Sequence, residues 1–181
     1  MKNILIFVLL LVTSCKSNDL NLSYFNNQQK EILKKILKEN DKIFSLKSNL
    51  SISDAYFEHI KKLDNSKSPN ELINNFFCKD ISSYKSLHKY NIFNLSKSKA
   101  FRSVREITYY DLNMKSNYLV FLKSISKKNK AISKYYRSII LSGGISPSST
   151  KLLLHYLTKE DLKNENIRLI LSMHFLLINN F

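Results

Sequence analysis

Apolar residues along most of this chain recur at spacings of three and four, which predicts helices that each bury one face. From Phe25 to Leu46 they fall at 25, 32, 33, 36, 37, 43, 44 and 46, with Lys and Glu on the other side. From Ser53 to Leu63, Tyr56, Phe57, Ile60 and Leu63 share one face. Ser68-Pro69-Asn70-Glu71 reads as a helix start: Ser68 caps, Pro69 suits the first helical position and Glu71 completes a capping box. Leu72, Ile73, Phe76 and Phe77 would then face inward. The pattern weakens over residues 80–96. Ile81, Tyr84 and Leu87 suggest a helical turn or two, whereas Tyr90, Ile92 and Phe93 suit extended chain. A helix is expected again from Lys97 to Ile107, with Phe101, Val104 and Ile107 inward.

No Gly or Pro interrupts Asp111 to Ser142. Tyr118, Leu122, Ile125, Ile132, Tyr136 and Ile139 alternate at four and three if polar Asn129 fills the gap. That fits one long helix, or two that break near Lys128-Asn129. Gly143-Gly144 is a C-terminal stop, and Ser146-Pro147 opens a helix to Leu157. Thr158 to Asp161 is a further capping-box candidate, and a last helix covers about 165 to 179. The expected fold is all-α: a single bundle-like domain of about seven or eight helices, with short connections favouring antiparallel neighbours. No fixed-period repeat supports a solenoid.

The first residues have a different logic. Lys2 precedes a nine-residue apolar run, Ile4 to Val12, too short for the roughly 20 residues of a stable membrane span. The run ends in Val12-Thr13-Ser14-Cys15, an aliphatic residue, two small ones and a cysteine. This segment resembles a bacterial lipoprotein signal ending in a lipobox; the alternative is an ordinary secretory signal that happens to contain a cysteine. The resemblance covers residues 1–15 only. It implies that Cys15 receives a diacylglyceryl group on its thiol, that cleavage occurs before it, and that its new amino group is acylated. The chain then divides into a signal peptide (1–14), the lipidated Cys15 with a flexible polar tether (15–24), and a helical domain (25–181). The implied location is the bacterial cell envelope, with the protein anchored at the outer membrane or cell surface. Two or three acyl chains hold a protein stably where one would not. Cys78, following Phe76-Phe77, is then the only free thiol; a buried, inert role is favoured over an intermolecular disulfide.

Composition adds a charge asymmetry. The 181 residues hold 29 Lys+Arg against 14 Asp+Glu, a net charge of +15. Residues 16–80 carry eleven basic and nine acidic side chains, whereas residues 81–159 carry fifteen basic ones against Glu106 and Asp111 alone. The abundance of Lys, Asn, Ile, Phe and Tyr suits an AT-rich genome, but such a bias does not deplete acids from one segment. Lys123, Lys127, Lys130, Lys134 and Arg137 recur at four, three, four and three, which would draw a stripe along one face of a continuous helix. The stripe is either a solvated face or a binding surface for an anionic lipid, a cell-wall polymer or an acidic protein. Nucleic acid fits the charge but not the compartment, and no nucleic-acid-binding motif is present.

Candidate chemistry is weak. Ser148-x-x-Lys151 and Ser124-x-x-Lys127 match S-x-x-K, but 25 Ser and 25 Lys make chance pairs common, and no K-T-G follows. Gly143-Gly144 lacks the G-K-[ST] of a phosphate loop. His59, His88, His155 and His174 form no ligand spacing, although His155 and His174 lie on neighbouring expected helices. The sequence therefore implies no catalytic residues, no metal and no cofactor. It points to a non-enzymatic, lipid-anchored binding module for an anionic or acidic partner. The alternative is an inhibitor or immunity-type lipoprotein that neutralises an envelope-acting enzyme or toxin; that alternative requires a tight one-to-one complex.

Overall fold

The computed structural model describes residues 19–47, 49–66, 81–99 and 106–178. The lipobox with Cys15, the Ser68-Pro69 helix start, Phe76, Phe77 and Cys78 lie outside them. Among the described residues are seven α-helices and one two-stranded sheet, so the chain is a mostly helical single domain. In order they are α1 (Asn27–Lys47), α2 (Ile52–Asp64), α3 (Ile81–Lys89), β1 (Phe93–Lys99), β2 (Glu106–Leu112), α4 (Asn117–Ser126), α5 (Lys130–Ser142), α6 (Pro147–Tyr156), a 3-10 turn (Asp161–Lys163) and α7 (Glu165–Ile178).

Helix α7 is the axis of the core. Every residue from Asn166 to Leu177 is buried, as expected of a helix that is apolar nearly all round. Its neighbours grip it through specific polar contacts. The Tyr84 hydroxyl on α3 donates to the Leu176 carbonyl at 2.6 Å. Tyr135 on α5 meets His174 Nδ1 at 2.9 Å. Arg168 donates to both carboxylate oxygens of Asp41 on α1, each at 3.1 Å. Helix α1 contributes Leu33, Ile36, Leu37 and Phe44 to the same core. Helix α2 adds Tyr56 and Ile60, with Phe44 stacked on Tyr56 at 3.9 Å between ring centroids.

Local chemistry explains most boundaries. Asn26 and Gln29 cap the start of α1 reciprocally, side chain to backbone at 2.9 and 3.1 Å. Ser146 and Ser149 form the capping box of α6 behind Pro147. Gly143 closes α5 with a positive φ of 71°, and the Gly144 N–H returns to the Ile139 carbonyl at 3.1 Å. The same closure ends α3 without a glycine: Asn91 takes φ 58° and the Ile92 N–H bonds the Leu87 carbonyl at 2.8 Å. Thr158 and Asp161 make the expected reciprocal bonds, but they open only the short 3-10 turn.

Two expectations need correction. The helix read from Lys97 to Ile107 fails at both described ends: residues 97–99 end β1 and residues 106–107 begin β2, antiparallel with Phe93 opposite Leu112 and Lys99 opposite Glu106, while Phe101 and Val104 lie outside the described residues. Ile107-Thr108-Tyr109-Tyr110 is a β-branched and aromatic run that suits a pleated surface better than a helix. Tyr84 stacks on Tyr110 at 5.5 Å, which fixes the hairpin on α3. The chain also folds earlier than the tether reading allows. Leu22 is buried, the Phe25 N–H bonds its carbonyl at 3.1 Å, and Asn21 is held by Asn166. Apolar Leu20 and Leu22 within the polar stretch are the physical reason; residues 19–24 belong to the domain.

Candidate functional site

The run from Asp111 to Ser142 is two helices, and the break decides the fate of the basic stripe. Helix α4 ends at Ser126, Lys127 and Lys128 form the turn, and Asn129 caps α5 by accepting from the Ile132 N–H at 3.0 Å. Asn129 also donates to the Asp161 carboxylate. A new helix start resets the rotational phase. Tyr135 therefore points into the core, while Tyr136, which a continuous helix would bury, is only half-buried.

The five basic residues consequently do not share one helix face. Lys123 is exposed on α4, and Lys127 is exposed at the turn. Lys130, Lys134 and Arg137 remain on α5 at four and three. Of the five, the fold brings Lys134 and Arg137 together with an apolar side chain, in an open groove of about 400 Å³ between the second half of α5 and the start of α6. Leu141, one turn beyond Arg137, lines it and is 78% exposed. Ser148 and Leu152 line the α6 side.

Lys134 is braced: its Nζ lies 3.3 Å from the Tyr156 ring centroid, a cation–π contact. The Lys134 side chain lowers the Tyr156 hydroxyl's pKa, first through a hydrogen bond and then through its charge. Arg137 has neither an ion pair nor a hydrogen bond among the described residues. A guanidinium, a fixed ammonium and an exposed leucine in one groove can take a carboxylate-bearing segment that also offers an apolar side chain. Charge in the sequence marked Lys134 and Arg137. Leu141 and the α6 wall carried no such signal, because the pairing of α5 with α6 depends on the turn at Gly143-Gly144.

A second, larger cleft of about 760 Å³ lies at the other end of α5. Asp19 and Asn21 line it with Ile125, Lys128, Asn129 and Asp161, beside Asn164 and Asn166 at the head of α7. Its polar groups are largely engaged with one another. Asn166 accepts from the Asn21 N–H at 2.7 Å and donates to the Asp19 carbonyl at 2.9 Å. Glu160 pairs with Lys163 at 2.6 Å.

The histidines do not converge. His155 is exposed with Nδ1 3.6 Å from Asp64, whereas His174 is fully buried beside Tyr135 and burial pushes its pKa down to about 3. His59 packs against Phe44, and His88 lies against the Phe93 carbonyl. Among the described residues no three His, Cys, Asp or Glu side chains cluster to hold a metal ion, and no helix is long and apolar enough to cross a membrane. In the S-x-x-K segments, Ser124 donates to the Phe121 carbonyl at 2.7 Å and Ser148 sits at the exposed start of α6. Comparison of the chain with protein-family models, with curated proteins and with solved structures finds no match.

Proposed function

We propose that the protein is a lipid-anchored component of the bacterial cell envelope whose helical domain binds an acidic protein partner through the α5–α6 groove. The anchor reading is supported by the Val12-Thr13-Ser14-Cys15 lipobox behind a nine-residue apolar run. The partner reading rests on one observation: Lys134, Arg137 and the exposed Leu141 line a single open groove. It is supported by the near absence of acids from residues 81–159. Carboxylates would pair with the guanidinium and the ammonium, and Leu141 would lose its exposure against an apolar side chain. An acidic protein satisfies both needs, whereas a purely anionic polymer would leave Leu141 in water.

The test for the anchor is detergent phase separation of the full chain against Cys15→Ser; wild type in the detergent phase and the variant out of it is the expected result. The test for the groove is titration of the full chain, held in uncharged detergent, with a fluorescent peptide of glutamates interspersed with leucine. Binding should weaken steeply with salt as screening grows. It should fall about tenfold or more for Lys134→Glu with Arg137→Glu, since losing a charged pairing is worth roughly 1.4 kcal/mol or more. Equal binding by wild type and the double reversal refutes the groove.

A further inference from the structure

We infer that the cleft end of the bundle, where Asn166 clamps the incoming chain, is the face held against an anionic lipid surface, and that the α5–α6 groove is thereby presented away from it. This rests on the lipid-anchor reading of Cys15. The two Asn166 bonds fix the backbone at Asp19 and Asn21 to the head of α7. Leu22 and Phe25, both buried, fasten the next turn to the core. Asp19 therefore cannot swing away from the domain. Cys15 lies four residues before it, and four Cα–Cα steps reach at most about 15 Å whatever path they take. The acyl chains begin at Cys15, so a bilayer holding them must lie within that reach of Asp19.

Three helices end at this cleft. Ile125 belongs to the last turn of α4, Asn129 caps the start of α5, and Asn166 stands in the first turn of α7. The cleft is thus an end face of the bundle, and the helices run away from it. Along α5, Leu141 lies eleven residues beyond Lys130, a rise of about 16 Å. The basic turn suits this orientation. Of the three acids at this cleft, Asp19 is exposed beside the clamp, Glu160 is paired with Lys163, and Asp161 is bonded by Asn129 and Thr158. Lys127 and Lys128 are exposed at the turn without an ion pair among the described residues, free to meet anionic headgroups. The division also assigns the basic residues to two tasks: Lys127 faces lipid, and Lys134 with Arg137 faces the partner.

The experiment uses the full lipidated chain with Cys78→Ser, labelled with a fluorophore at Lys128→Cys or at Leu141→Cys. Each is reconstituted into vesicles of phosphatidylcholine and phosphatidylglycerol carrying a headgroup nitroxide quencher. The expected result is several-fold stronger quenching at position 128 than at 141. Inserting twenty Gly and Ser residues after Ser17 leaves the domain untouched but extends the reach several-fold, and should collapse that contrast. Equal quenching in the unextended chain, or stronger quenching at 141, overturns the orientation while leaving the anchor intact. Flotation of the same vesicles reads the anchor separately: a chain that fails to float with them refutes the lipidation of Cys15, and the orientation with it.

Discussion

The two ends of α5 are built on opposite principles. At the Asn129 end, polar side chains answer one another: Asn129 with Asp161, Asp161 with Thr158, Asn166 with the backbone of Asp19 and Asn21. Arg168 completes the joint by donating to the carbonyls of Leu162 and Lys163 while Asp41 holds its other face. At the Gly143 end, Arg137 and Leu141 stand exposed around an open groove. A network whose members are satisfied internally is a joint that positions a chain. A groove that leaves the Arg137 guanidinium and the Leu141 side chain exposed together is what a partner can use.

The joint should be the most costly place to substitute. Asp41→Ala should cost about 3 kcal/mol, because it takes the two-point carboxylate from the Arg168 guanidinium, whose side chain is 9% exposed, and leaves it only the more distant and more exposed Glu165 at 3.8 Å. Chemical denaturation monitored by circular dichroism measures it. A loss below about 1 kcal/mol would mean that Glu165 and the Leu162 and Lys163 carbonyls suffice.

Between the two ends, His174 sets an acid limit on the whole bundle. Its buried ring keeps a folded pKa of about 3, against roughly 6.5 when unfolded. Below about pH 6.5 the unfolded chain takes up a proton that the folded chain refuses. The stability contributed by a neutral His174 is therefore complete above that pH and falls by roughly 1.4 kcal/mol per pH unit as pH drops toward 3. Urea midpoints between pH 7 and pH 5 should follow this slope, and His174→Phe should flatten it.

Asn166→Ala comes next. It strands the Asn21 N–H and the Asp19 carbonyl and should cost about 1 to 3 kcal/mol. Hydrogen exchange at Asn21 should rise before exchange in α7 does. The groove is expected to respond least. Arg137→Glu should move stability by less than about 0.5 kcal/mol, as exposed substitutions usually do, while weakening the proposed partner binding several-fold. A loss of stability comparable with that of Asn166→Ala would make Arg137 a structural residue.

How much of this was legible in the chain depends on the range of the interaction. Helix ends set by neighbours were readable: Ser146-Pro147, Gly143, and the Thr158–Asp161 pair all perform as their chemistry predicts. The break at Asn129 was undecidable from periodicity, since its cap is reinforced by Asp161, 32 residues away. The hairpin was missed because Phe101, Val104 and Ile107 carry a helical spacing, while the β propensity of Ile107 to Tyr110 and the left-handed Asn91 argue the other way. At the site, charge pointed to Lys134 and Arg137 but spread them over five positions. Only the reset of phase at Asn129 separates those two from Lys123 and Lys127 and sets them beside Leu141. The Asn166 clamp spans 145 residues, and an asparagine carries no sequence signal for such a partner.

We propose that the cleft end of the bundle meets lipid and the open end meets an acidic protein. Photocrosslinking in native envelopes distinguishes the two, with a photoreactive residue placed at Leu141 in one strain and at Lys128 in another. The expected result is a discrete, acidic protein adduct from position 141 that disappears with Lys134→Glu and Arg137→Glu, and lipid adducts from position 128. A protein adduct at 141 that survives the double reversal, or the same adduct from both positions, would contradict it.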